Sequence, residues 1–320
     1  MTTATFNAAQ DDLVYVEDLL TALKAVDLPL LGDMLSHVLE ASGKRLRPVM
    51  ALLAARVNEY DMDAAVSFAA ACELLHTATL VHDDVIDNAA TRRRKPTANV
   101  LFRNSTSVMM GDYMFAHAAE LVTRTGNLRV IKLFSRTLLS MAYGEVYQDM
   151  TAYAYGQTLN DYFKRIGGKT ASLFATATEG GAVLSQASEP VIQGLRSYGY
   201  NLGMAFQVVD DVLDYTGDES SMGKPVGGDL MAGTMTLPAI LLVEQYPDNN
   251  PVQRYFSGKN KAQSLREAIA MIRESDICDR SMKIAMDFRD RALEGLAGVD
   301  SKEVREALEE IAGYVLSRRT

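Results

Sequence analysis

The sequence predicts an all-α protein, and three observations carry that expectation. The eight prolines fall at 29, 48, 96, 190, 225, 238, 247 and 251, which leaves 97–189 and everything after 251 open to uninterrupted helices. The stretches 64–87 and 107–125 are rich in Ala, Leu and Met, with apolar residues recurring at three- and four-residue steps. No Asn-Gly or Asp-Gly pair separates alternating apolar runs, and β-branched clusters of strand length are scarce, so strands should be few or absent.

Taken in order, the breaks between helices are local. Leu28-Pro29 comes first, then Ser42-Gly43, which opens SGKRLRP with Lys44, Arg45 and Arg47. The buried-type helix 64–87 ends in VHDDVID and gives way to TRRRKP, a basic break from Thr91 to Pro96. After the 107–125 helix, GGKT supplies Lys169 and Thr170 behind a helix-like segment, and GMAFQVVDDVLD closes a further helix. The Gly-rich 217–229 segment contains Lys224, and YPDNNP (246–251) precedes a proline-free helical remainder. None of these breaks resembles a flexible interdomain linker, so 1–320 is expected to form a single domain.

Composition narrows the function. With 48% hydrophobic and 23% charged residues the chain should fold, and its net charge of -9 argues against nucleic acid or an anionic membrane as partner. Two cysteines, Cys72 and Cys278, are too few for a disulfide framework or a Cys-based zinc site. The N-terminus lacks a basic region followed by an apolar run, and no stretch of ~18 apolar residues is evident. The expectation is a cytoplasmic protein with no integral membrane segment.

The chemistry sits in one short internal echo. VHDDVID places Asp83, Asp84 and Asp87 at i, i+1 and i+4, and VVDDVLD repeats the pattern with Asp210, Asp211 and Asp214. On a helix the first and last of each triad share a face, with the middle one beside them. Carboxylates so close repel one another unless cations neutralise them, and a donor set of oxygen alone favours Mg²⁺ or Ca²⁺ over zinc. A lone DDxxD is more often a solvated helix end; two copies, each behind a buried-type helix, shift the balance toward metal. Calcium storage lacks the alternating ligand loop with its central Gly.

Basic residues then define what the metal would accompany. Lys44, Arg45, Arg47, Arg92, Arg93, Arg94, Lys95, Lys169 and Lys224 offer Arg forks and Lys point charges, the complement of a diphosphate that itself coordinates metal. Each alone reads as a solvated loop cation; together they do not. A nucleotide site is disfavoured, because GxxxxGK[ST] is absent and GGKT does not follow a strand. His76 lies seven residues before Asp83, roughly on the same helical face, where a site role competes with that of a core histidine.

These motifs, GKRLRP, ELLHTATLVHDDVID, RRRKPT, GDYMFAHA, GKTASLF, FQVVDDVLD and GKPVGGDL, run in order from about Gly43 to Pro238. The sequence resembles the trans-isoprenyl diphosphate synthases, the polyprenyl synthetase family. The resemblance implies an all-α barrel of long helices around a deep apolar cavity, usually a homodimer. It implies Mg²⁺ between facing aspartate motifs, three ions with diphosphate bound, with Mn²⁺ able to substitute. By the same resemblance, Asp83, Asp87 and Asp210 correspond to metal ligands holding the allylic diphosphate, supported by Asp84, Asp211 and Asp214. Arg92, Lys169 and Lys224 correspond to contacts with that diphosphate. Lys44, Arg47, His76 and Arg93 match the positions that bind isopentenyl diphosphate. Thr170 and Gln207 match polar groups near the developing carbocation, and Phe206 a ring beside the isopentenyl group. The chain departs from the family pattern at Ser42 and Arg94, where Gly is common, and at Ala232 and Thr234, where Glu and Lys are common.

The resemblance also bears on product length. Short-chain members carry a bulky aromatic five residues before the first Asp; here that residue is Ala78, with Thr79 beside it and Leu75 and Cys72 further down. No early floor stands on this wall, so a medium- or long-chain polyprenyl diphosphate is expected, with geranylgeranyl diphosphate second. Met114, Phe115, Met141 or Tyr143 could floor the opposite wall. A terpene cyclase is the nearest alternative enzyme, but its second metal motif follows an Asn/Asp, Ser/Thr, Glu pattern. One subunit of a heteromeric synthase is a further alternative, although such subunits typically lose aspartates that are all present here.

Overall fold

The computed structural model describes residues 3–40, 43–93, 95–217, 226–248 and 250–318, and helix dominates them. The only sheet among the described residues is a two-residue pair, Thr91–Arg92 antiparallel to Lys95–Pro96, with Thr91 opposite Pro96. The chain folds as two compact units. The first comprises Met1–Arg136, Leu173–Gly199 and Glu294–Ile311; the second comprises Thr137–Ser172, Tyr200–Leu293 and Ala312–Thr320.

In the first unit, α1 (Thr3–Ala22), α2 (Pro29–Glu40) and α3 (Leu46–Ala55) precede α4 (Met62–Ile86), the helix expected over 64–87. Asp61 caps α4 by accepting from the Ala64 amide at 3.1 Å, which satisfies one of the orphan donors of the first turn. Its Ala-rich body is apolar all round, as burial among other helices requires, and α1, α3 and α6 pack on it. Here the structure corrects the expectation that no ~18-residue apolar stretch exists. α4 is long and apolar enough to cross a membrane, yet 83% of its most apolar window is buried inside the protein, so that surface meets protein rather than lipid. α5 (Ala98–Phe102) and α6 (Asn104–Thr123) follow the small hairpin. α6 buries Met110, Met114 and Leu121 while leaving Val108 and Met109 exposed.

α7 (Leu128–Met150) leads into the second unit, where α8 (Leu159–Ile166) starts at a reciprocal capping box between Thr158 and Asp161. α8 runs directly into a π-helical turn, Gly167–Ala171; α9 (Ser172–Leu184) then belongs, from Leu173, to the first unit, and α10 (Glu189–Thr216) continues from the first unit into the second at Tyr200. The remaining helices are α11 (Gly228–Met231), α12 (Leu237–Gln245), α13 (Pro251–Phe256), α14 (Lys261–Glu274), α15 (Ile277–Glu294) and α16 (Lys302–Ser317). The core of this unit gathers Tyr162 of α8, Val208 and Tyr215 of α10, Leu230, Leu242 and Ile272. It anchors α10 over the turns that carry the second aspartate motif.

Candidate active site

In the first unit the aspartates end α4. Asp83 is half-buried, Asp84 is 6% exposed and Asp87 is exposed at the C-cap, its amide donating to the Asp83 carbonyl at 2.8 Å. No basic residue occupies the last turn of α4. This is the negative end of the helix dipole, where each carboxylate costs roughly 0.3–1 kcal/mol. A fully buried leucine contributes roughly 1.5–3 kcal/mol, so the core around Leu74 and Leu75 easily holds an arrangement that electrostatics disfavours.

The hairpin after α4 brings cations to it. Arg92 Nε donates to Asp84 Oδ1 at 2.8 Å, and Arg93 turns the chain with a left-handed φ of 51°. A Cβ at Gly43 would lie 2.5 Å from the Arg93 guanidinium, so only glycine there lets Arg93 lie against the backbone. Gly43, Glu73, His76, Asp84, Arg92 and Arg93 line a common pocket. Lys44 is exposed, whereas Arg47 is buried with its guanidinium 4.5 Å above the Phe174 ring. The His76 ring is held well below the usual histidine range, first by desolvation and then by Arg47, Arg93, Arg92 and Arg45. The lowered value favours the neutral ring among these cations. Below it, Leu75 and Ala78 are wholly buried, and half-buried Thr79 donates its hydroxyl to the His76 carbonyl at 2.7 Å. On α6, Met114 is buried and Phe115 meets His82 edge to face.

In the second unit, the π-helical turn holds Lys169 and Thr170. A Cβ on Gly144 of α7 would lie 3.0 Å from the Lys169 amide nitrogen, so the small residue permits this close backbone approach. Lys169 Nζ pairs with Glu145 at 2.5 Å. From Thr170 a chain of hydrogen bonds reaches the aspartates: Thr170 Oγ1 donates to Gln207 Oε1 at 2.7 Å, and Gln207 Nε2 donates to Asp211 Oδ1 at 2.9 Å. Tyr162 donates to the other oxygen of Asp211 at 2.6 Å. Asp211 is 2% exposed, and burial pushes its carboxyl up to about 8, with Asp229 adding to the rise while Tyr162 and Gln207 oppose it. Asp214 accepts from the Gly228 and Asp229 amides, both at 3.2 Å. Asp210 is half-buried and pairs with Arg318 at 2.9 Å, whose guanidinium also lies 3.8 Å above the Phe206 ring. Met141 is buried and Tyr143 is 59% exposed, so this tyrosine points away from the interior.

Sequence reasoning placed the motif residues but missed Tyr162, Arg318 and Glu73, whose partners lie far along the chain. Lys224 lies outside the described residues, as do Ser42 and Arg94. Ala232 and Thr234 follow α11, where the Thr234 amide donates to the Asp229 carbonyl at 2.9 Å.

Both motifs offer oxygen donors alone, which suits a hard cation. Among the described residues no three His, Cys, Asp or Glu side chains form a ready-made metal cluster.

Comparison with known proteins follows the same lines. The polyprenyl synthetase family model matches residues 28–272. Heptaprenyl diphosphate synthase component 2 of Geobacillus stearothermophilus is 36% identical over 315 residues, covering 98% of each chain. The all-trans-nonaprenyl-diphosphate synthase (geranyl-diphosphate specific) of Rhodobacter capsulatus is 39% identical over 285 residues, covering 88% of this chain and 87% of that one. Among solved structures, the polyprenyl synthase of Caulobacter crescentus CB15, complexed with calcium and isoprenyl diphosphate, matches with a TM-score of 0.94 at 36% identity, covering 99% of this chain and 98% of that one.

Proposed function

Because the chain belongs to the polyprenyl synthetase family and has its all-α isoprenoid synthase fold, we infer that it is a prenyltransferase that condenses isopentenyl diphosphate with an allylic diphosphate in trans. Its product is a medium- or long-chain polyprenyl diphosphate, as the names of the heptaprenyl and nonaprenyl relatives suggest. The observation that carries the reading is the placement of an aspartate motif near the C-terminal end of both α4 and α10, where no basic residue occupies the last turn. Such an arrangement is costly in isolation and is relieved by a bound cation.

We assign Asp83 and Asp87, and separately Asp210 and Asp214, to holding Mg²⁺ together with diphosphate oxygens. The bound metal would neutralise the charge that develops on the departing diphosphate. Asp84 and Asp211 act differently in this reading. Asp84 orients Arg92, and Asp211, engaged on both oxygens, fixes Gln207 and through it Thr170. By family resemblance we assign Arg92, Lys169 and Lys224 to contacts with the allylic diphosphate. Lys44, Arg47, Arg93 and neutral His76 take isopentenyl diphosphate. Gln207 and Thr170 present oxygen dipoles to the allylic cation, and the Phe206 ring lies beside the isopentenyl group. No side-chain nucleophile is required.

We further propose one catalytic domain acting in the cytoplasm as a homodimer. Leu139, Tyr143, Val146 and Met150 are spaced by four, three and four residues, form one stripe on α7 and are 58–79% exposed. Such a stripe is suited to a second copy. Sedimentation should give twice 35.0 kDa.

The reaction class is tested by following inorganic diphosphate release from geranyl or farnesyl diphosphate with Mg²⁺. Release that requires isopentenyl diphosphate supports elongation. Release without it, accompanied by a cyclic hydrocarbon, would identify a terpene cyclase instead.

A further inference from the structure

Arg45 sits between two residues assigned to isopentenyl diphosphate, yet its side chain is turned away into the protein and is 6% exposed. Its Nε and one terminal nitrogen grip the Glu17 carboxylate of α1 at 2.5 and 2.9 Å, and the other terminal nitrogen reaches Glu73 of α4 at 2.8 Å. A guanidinium engaged on three nitrogens by two carboxylates is not offered to a substrate diphosphate.

Its backbone points the same way. Arg45 has φ 51° and ψ 34°, the left-handed conformation that side chains other than glycine adopt at a cost, and it caps α3 without a side-chain cap bond. The Arg45 carbonyl accepts from the Val49 amide at 3.0 Å, so this residue starts α3. No side-chain cap bond supports the conformation, while the ion pairs to α1 and α4 engage the side chain of the same residue. The reversal separates exposed Lys44 from a helix whose residues, Leu46 to Ala55, are all buried, Arg47 among them.

α1 grips both ends of α3. At the far end, Asp12 accepts from Arg56 Nε at 3.1 Å and also binds Tyr60. One helix therefore makes two acid-to-arginine attachments to the same partner, one beside the substrate cations and one remote from them.

We propose that Arg45, locked between Glu17 and Glu73, is a positioning residue for isopentenyl diphosphate: it fixes the turn that aims Lys44 and Arg47, and so makes α1 part of the substrate-binding apparatus. This rests on the assignment of Lys44 and Arg47 to that substrate. A purely structural role would make both α1 attachments equivalent in their effect on substrate binding; the positioning role makes them different.

The test uses the full-length enzyme. In Glu17→Gln the partner that is 45% exposed loses its charge while keeping its shape, so the fold should survive. Its KM for isopentenyl diphosphate should rise about tenfold, a fraction of the ~10²-fold that a 1 Å misplacement can cost. The KM for the allylic substrate and kcat should stay within about twofold, because neither depends on this turn. Arg45→Lys keeps the charge, loses the fork and should behave alike. Asp12→Asn should lower Tm without changing the KM for isopentenyl diphosphate. Equal KM effects of Glu17→Gln and Asp12→Asn, or no effect of Glu17→Gln and Arg45→Lys, would overturn the proposal. Lys44→Ala separates the two levels: if its KM for isopentenyl diphosphate is raised as expected, failure of the Glu17 result overturns the positioning role alone. An unchanged KM in Lys44→Ala would overturn the site assignment and the proposal with it.

Discussion

Tyr162 of α8 donates a 2.6 Å hydrogen bond to Asp211 of α10, 49 residues away in sequence, and both side chains are buried. The middle aspartate of the second motif is thereby tied inward, into the network that ends at Thr170, while Asp210 and Asp214 flank it on less buried positions. Identical residue types at identical spacing thus have different parts to play.

Tyr162→Phe removes the phenolic donor and leaves the ring. A buried acceptor stripped of its partner costs roughly 1–3 kcal/mol, so chemical denaturation should show a loss in that range. Gln207 loses its fixed anchor as well, and kcat should fall about tenfold with little change in KM for either substrate, as for an interaction that matters in the transition state. A variant with wild-type kcat would remove Tyr162 from the account.

The aspartate motifs predict opposite changes in activity and stability. Asp83→Ala or Asp210→Ala should lower kcat on the order of 10²-fold or more, and excess chelator should abolish wild-type turnover. Asp87→Asn, at the negative end of α4, should stabilise the metal-free protein by roughly 0.3–1 kcal/mol while impairing catalysis. Thermal melts with and without Mg²⁺ check this: the gain should be confined to the metal-free protein.

His76 gives the pH dependence. Its folded value lies well below the ordinary 6.5, so at acid pH the unfolded chain binds a proton that the folded one refuses. Stability should therefore fall as pH drops below about 6.5 and be independent of this residue above it. His76→Gln, which keeps a neutral hydrogen-bonding group, should flatten that part of the Tm profile and retain most affinity for isopentenyl diphosphate. A profile unchanged by the substitution would contradict a neutral His76.

Much of this was legible in the sequence because its signals are local. The Ala-rich helix and its terminal aspartates lie within one continuous segment; α4 starts two residues before the expected 64, where Asp61 supplies the cap, and ends at Ile86 with Asp87 as its C-cap. The break at 91–96 was expected; its pairing as a hairpin was not, since two-residue strands carry no periodic pattern. Tyr162, Glu73 and Arg318 were hidden for a different reason. A tyrosine or an ion-pairing residue looks like any other until its partner, 28 to 108 residues distant, is brought to it. The π-helical turn at Gly167–Ala171 was likewise invisible, because its geometry is set by packing rather than by propensity.

Ala78 is wholly buried on α4, and we propose that it sets product length. If the growing chain passes this wall, Ala78→Phe should shorten the product while leaving diphosphate ionisation intact, as judged by single-turnover release. A product distribution identical to wild type would mean that the chain takes another path.

We propose that this single chain elongates an allylic primer by successive isoprene units. The most direct measurement is to incubate the purified protein with Mg²⁺, labelled isopentenyl diphosphate and each of geranyl, farnesyl and geranylgeranyl diphosphates, then size the dephosphorylated products. The products should be all-trans polyprenols longer than farnesol, reaching medium or long chain length, without any second protein. Products that stop at farnesol, or no elongation until another subunit is added, would contradict it.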